Sequence, residues 1–109
     1  MQCVKQHAHT LQSLCNARGK RQKQILHVAK PGVVRAISQC ASNTLRGNVK
    51  LSALRKNRLK RHKRILRSLA AKSISLKKKK KLLLQAGTGF LPLLLGPIIS
   101  SIAGALFSR

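Results

Sequence analysis

The chain of 109 residues contains no Asp and no Glu, against 24 Lys and Arg and a formal net charge of +24. An ordinary chain is about a quarter charged with both signs mixed, so roughly a dozen acids would be expected. Their absence removes whole classes of function. No carboxylate is present for general acid or base catalysis, for Mg²⁺ or Ca²⁺ ligation, or as the third member of a Ser-His-Asp triad. The sequence therefore reads as a non-enzyme with no cofactor motif. Side-chain salt bridges are impossible, so each cation is left to water or to an external anion, which points to nucleic acid first and anionic membrane second.

Trp and Tyr are also missing, and the two Phe residues, Phe90 and Phe107, lie near the end. A core must then be built from Leu, Ile, Val and Ala, which suits helices. At this length one small domain is the limit. Three cysteines, Cys3, Cys15 and Cys40, are too few and too oddly spaced for a disulfide framework, and the thiols read as reduced and intracellular. Cys3, His7 and His9 lack the paired spacing of a zinc site, so no metal is expected. Lys5, His7 and His9 stand where a secretory signal would carry an apolar run, so no such signal is expected.

Charge divides the chain into three parts. Residues 1–49 hold 8 cations, residues 50–81 hold 15, and residues 82–108 hold none. In the first part, Val4, Ala8, Leu11, Leu14 and Cys15 recur at helical spacing, and Ile25, Leu26, Val28 and Ala29 form a second short apolar face. Lys30-Pro31-Gly32 reads as a stop. Val33, Val34, Ile37, Cys40, Ala41 and Leu45 then fall within an arc of about 140° at 100° per residue. Gly47 is placed as the C′ residue of that helix. These segments read as small helical hairpins.

In the second part, residues 50–86, Ser52 is placed as an N-cap and one long basic helix fits residues 53–71. Leu54, Leu59, Ile65, Leu66, Leu69 and Ala70 share one side, and Lys56, Lys60, Arg61, Lys63, Arg64 and Arg67 the other. Arg55, Arg58 and His62 intrude on the apolar side. Ser73 or Ser75 would cap a last short helix holding Lys77, Lys78, Lys79, Lys80 and Lys81 and ending in Leu82-Leu83-Leu84. Duplex DNA shows a phosphate charge every ~1.7 Å along its axis, so a cationic helix face can neutralise several phosphates. Without aromatic platforms, single-strand binding by stacking is disfavoured. Phosphate contacts position a protein without reading bases. The eleven named cations are the candidate nucleic-acid contacts, with double-stranded DNA the expected partner and structured RNA left open.

The third part, residues 87–109, opens with the glycine hinge Gly87-Thr88-Gly89 and continues as FLPLLLGPIISSIAGALF, residues 90–107, without a charge. Eighteen residues of helix reach ~27 Å, short of the ~30 Å hydrocarbon core of a bilayer. Pro92, Gly96 and Pro97 interrupt the run, and Pro97 suits a helix N1 position. An interfacial or partly inserted segment is expected rather than a single span. Phe90, Ile98, Ile99, Ile102, Leu106 and Phe107 are its candidate membrane or packing residues, with Gly96, Ser100, Gly104 and Ser108 as a small-residue stripe. Packing onto the chain's own helices is the alternative.

Three stretches carry a family resemblance: TLRGNVKLSALRKNRLKRHKRILRSLA, ISLKKKKKLLLQAGTGF and LPLLLGPIISSIAGAL. In their order they resemble the small basic proteins of Maverick/Polinton elements and adintoviruses over roughly residues 33–107, counted on this sequence. Those proteins are compared with the adenovirus core peptide precursor called pX or mu, which condenses viral DNA. The resemblance implies a virion core protein located in the virion core or host nucleus. It also directs attention to Gln85-Ala86-Gly87-Thr88 before Gly89, which fits the pattern cut by adenovirus-type proteases. A cut between Thr88 and Gly89 is the implied processing site. The related proteins more often have Gly-Gly-Phe where this chain has Thr88-Gly89-Phe90, and a plain hinge is the other reading.

The expectation is thus an all-α protein, partly disordered when free. It would condense double-stranded DNA without sequence preference and dock its apolar tail on capsid protein or membrane. A cationic membrane-disrupting protein, a structural RNA-binding protein of a ribosome-like particle, and a decayed element copy are the alternatives.

Overall fold

The structure, a computed structural model, describes the backbone of residues 2–86 and 89–107 and the side chains of residues 4–86 and 89–100. Every regular element among the described residues is a helix. The first part of the chain forms four: α1 (Gln2–Gln6), α2 (Ala8–Asn16), α3 (Lys20–Val28) and α4 (Pro31–Leu45). The basic middle forms α5 (Ala53–Lys60), α6 (Lys63–Ala70) and α7 (Leu76–Gln85), and the tail forms α8 (Phe90–Phe107). The radius of gyration is 12.8 Å, matching the ~13 Å of a compact domain of this length. The partial disorder expected of the free chain is not seen among the described residues.

α4 is the central helix. It packs against α1, α2, α6, α7 and α8, and it buries Val33, Val34, Ala36, Ile37, Cys40 and Ala41. Five of these six were expected from the spacing. Leu45, the sixth residue of the expected face, is exposed at the helix end. α3 stops at Val28, just before Lys30-Pro31-Gly32, as expected; Pro31-Gly32 also begins the next helix, which was not expected. Pro31 sits in the first turn, where its missing N–H costs nothing. Gly32 lets His7 approach so closely that a Cβ there would lie 2.5 Å from His7 Nε2. At the other end Gly47 takes φ 77°. Its N–H donates to the Thr44 carbonyl, and the Asn48 N–H donates to the Asn43 carbonyl at 3.0 Å. This is the paired 5→2 and 6→1 closure that satisfies orphan carbonyls at a helix end.

A buried glutamine closes the corner between α2 and α3. Gln22 is 2% exposed, and its Nε2 donates to the carbonyls of Leu14 and Ala17, each at 3.3 Å. Both carbonyls lie at the end of α2, where no helical partner exists.

The basic segment expected as one helix is two, separated at Arg61-His62. The Arg61 and His62 N–H groups donate to the carbonyls of Arg58 and Leu59, a tightened i→i−3 turn. Two burial demands account for the break. α5 turns Leu59 inward and packs on α8, whereas α6 buries Leu66 and Leu69 against α4. One straight helix cannot serve both. His62 stands at the break with its ring 5.2 Å from that of Phe90. Leu54, expected on the apolar side, is 60% exposed.

α8 begins at Phe90 rather than at Pro97, and Pro97 lies inside it. It packs on α2, α4 and α5. Phe90, Leu91, Leu94, Leu95, Ile98 and Ile99 are buried in the same cluster as the α4 residues. The expectation of an interfacial segment is corrected for Phe90, Ile98 and Ile99: these side chains are core. Among the described residues no single helix is long and apolar enough to cross a membrane. The side chains of Ile102, Leu106 and Phe107, and residue Thr88, lie outside the described residues.

Candidate nucleic-acid interface

The N-caps of the basic helices are made as expected. Ser52 Oγ accepts from the Arg55 N–H and Ser75 Oγ from the Lys78 N–H, each at 3.2 Å. These bonds fix where α5 and α7 start, and hence which way each cation points. Of the two serines considered for α7, Ser75 is the cap.

On α6, Lys63, Arg64 and Arg67 fall within an arc of about 100°, directed away from the buried Leu66 and Leu69, and all three are exposed. On α5, Lys56 and Lys60 stand one turn apart and are exposed. Lys56, Lys60 and Lys63 converge on the rim of a groove of about 310 Å³ whose floor includes Leu45, Leu51, Leu59 and Leu66. Arg61, at the turn, is exposed beside them. Six of the expected contacts are therefore brought together on the outer side of the α5–α6 corner.

The Lys77–Lys81 run divides. Five successive residues sweep about 400° around a helix, so they cannot all face water on a packed helix. Lys77, Lys78 and Lys81 are exposed. Lys80 is half-buried, and its Nζ donates to the His27 carbonyl at 2.6 Å, tying α7 to α3. Lys79 is 5% exposed, on the same side as Leu83. Its Nζ donates to Ser38 Oγ at 2.8 Å, and Ser38 Oγ donates in turn to the Leu69 carbonyl. Desolvation lowers the Lys79 pKa from its ordinary value. Lys79 is thus corrected from an outer phosphate contact to an inward-facing cation.

A second cation cluster was missed. Arg55 and Arg58 lie on the opposite flank of α5 from Lys56 and Lys60. With Arg18, they line a cavity of about 390 Å³ bounded also by Ser52, Pro92 and Gly89. Arg55 is half-buried against α8. Its Nη1 lies 3.1 Å from where a Cβ on Gly96 would stand, so the glycine gives the guanidinium room to lie across the helix. The i, i+3 spacing of Arg55 and Arg58 is a signal for a shared flank, but nothing in the sequence connects Arg18 with it. Burial pushes the nearby Cys15 thiol pKa up, and Arg55 pulls it partly back. Gly89 is exposed at the entry to α8.

No family model, curated protein or solved structure matches the chain.

Proposed function

We propose that the protein binds double-stranded DNA through its phosphates, without reading base sequence, and condenses it. One observation carries the reading. Lys56, Lys60, Arg61, Lys63, Arg64, Arg67, Lys77, Lys78 and Lys81 are exposed, and the chain holds no side-chain carboxylate to neutralise any of them. Such a surface gains by exchanging its own counterions and those of a polyanion for direct contact. The order of parts shared with small basic proteins of Maverick/Polinton elements makes a virion core the corresponding setting. Phe90, Ile98 and Ile99 are buried, so those three side chains are not open to a partner, whereas the cations are.

Fluorescence anisotropy with duplexes of unrelated sequence tests the reading. If about 8 phosphates are neutralised, log K should fall against log salt with a slope near −7. Replacing Lys60, Lys63, Arg64 and Arg67 together by Gln should weaken all duplexes alike and make the slope shallower. A strong preference for one sequence, or affinity indifferent to salt, would overturn it. Tighter binding to folded RNA than to duplex DNA would transfer the function to RNA.

A further inference from the structure

Lys79 poses a problem that the outer surface does not. It is one cation among 24 in a chain without acids, yet it is the only Lys or Arg among the described residues that is fully buried. An ammonium has three donors. Ser38 Oγ takes one, and that hydroxyl already donates its own proton to the Leu69 carbonyl.

The surroundings of Lys79 are not an apolar pocket. It lines a cleft of about 460 Å³ between α4, the α6–α7 connection and α7. Arg35 and Lys72, both exposed, line the same cleft. So do the hydroxyl residues Ser42 and Ser75, and Ser75 marks the N-terminus of α7, where backbone N–H groups lack helical partners. Gln39 lines it too, and its buried Oε1 has no hydrogen-bond partner among the described residues. A terminal amide can be turned over without changing its shape, which puts an N–H₂ donor at that position. With Ser38, three cations, three hydroxyl residues and one amide thus line a single cleft. No carboxylate lines the cleft to balance these cations.

We propose that this cleft is a binding site for one phosphate-type oxyanion, held from within by the Lys79 ammonium and at its mouth by Arg35 and Lys72. The oxyanion takes the donors that Lys79 does not spend on Ser38. Such charge-assisted bonds are roughly twice as strong as neutral ones. The site shares no lining residue with the groove rimmed by Lys56, Lys60 and Lys63, and it does not depend on duplex binding there.

The test is a titration of the full chain with inorganic phosphate at constant ionic strength, without DNA, followed by amide NMR shifts and by the Lys79 side-chain signal. The expected result is a saturable one-site change centred on Ser38, Gln39, Ser42 and Ser75. The Lys79 titration midpoint should rise as the anion stabilises its charged form. Lys79→Met should weaken phosphate binding by about tenfold or more, and Lys23→Met, an exposed change on α3, should leave it unaltered. Should Lys79→Met fail to fold, Arg35→Gln and Lys72→Gln, both outside the core, should each weaken binding severalfold. Shifts spread without saturation over every cationic helix, or equal affinity in the wild type and all three cleft variants, would overturn the proposal. Adding a short duplex then identifies the source in a protein that binds. Displacement of phosphate from the cleft marks an internucleotide phosphate as the occupant, and simultaneous binding marks a free phosphate or phosphate monoester. Since the titration contains no DNA, this site and the duplex-binding surface succeed or fail separately.

Discussion

Leu95→Ala distinguishes a core helix from a membrane tail. Leu95 is 0% exposed, in the second turn of α8, within the cluster that also holds Ile37 and Leu11. Truncation to Ala removes the transfer free energy of the lost methyl groups and leaves a cavity that helices on more than one side must close. Such changes cost about 2–5 kcal/mol. A chain of this length has a total stability of roughly 5–15 kcal/mol, so even a mid-range cost of about 3 kcal/mol is at least a fifth of it. At about 4–5 °C per kcal/mol, a 3 kcal/mol loss lowers the midpoint by about 12–15 °C. The matched control is Leu54→Ala, the same chemistry at a side chain that is 60% exposed, with an expected change within about 0.5 kcal/mol. Urea denaturation followed by far-UV circular dichroism, without lipid or nucleic acid, gives both values. If the two variants differ by less than about 1 kcal/mol, α8 is not part of the folded core in water, and the tail returns to the membrane reading.

Further outcomes follow from the same structure. Stability should rise with NaCl between about 0.02 and about 0.5 M, because screening relieves repulsion that no carboxylate offsets; a midpoint that falls with salt would contradict this. The lowered pKa of Lys79 means that the unfolded chain holds more protons than the folded one between that lowered value and the ordinary 10.5. Stability carried by this group therefore increases with pH across that window, and Lys79→Met should flatten the slope of the denaturation midpoint against pH relative to the wild type. Gln22→Leu should cost about 1–3 kcal/mol per carbonyl left without a donor at Leu14 and Ala17, read by the same denaturation; a neutral change would show that water replaces the amide.

Local signals in the sequence were specific enough to locate helix ends. Ser52 and Gly47 fall where expected because capping is chemistry between near neighbours. The α4 face was legible for the same reason, since a 3.6-residue period needs no knowledge of the partner. Pro31-Gly32 was read only in part: the helix before it stops, as expected, but the same dipeptide also suits the beginning of the next helix, and only the surroundings show that. The break at Arg61-His62 had no local signal, since neither residue disrupts a helix. It comes from α5 and α6 packing on different partners. For Lys79, the ~400° sweep of five lysines requires an inward-facing one once Leu76 and Leu83 pack inward, but the cleft it enters is made by α4, some forty residues away. The tail was the least legible part, because Leu and Ile suit a bilayer and a protein core equally.

The location of α8 resolves an imbalance in the rest of the chain. The helices from α1 to α7 offer narrow apolar faces, and the two basic helices α5 and α6 bury fully only Leu59, Leu66 and Leu69. α8 contributes six large buried side chains and no charge, so it adds apolar burial without adding repulsion. The same division explains why function and stability need not compete. Most cations of α5, α6, α7 and the α5–α6 turn are exposed, and most of the apolar residues that hold those helices in place come from α4 and α8. A polyanion that binds the folded state better than the unfolded one then stabilises it by mass action, about 2.7 kcal/mol at a free concentration 100 times Kd. That gain is of the size that a core substitution such as Leu95→Ala removes, so under the proposed function the anion would stabilise the fold as well as bind it.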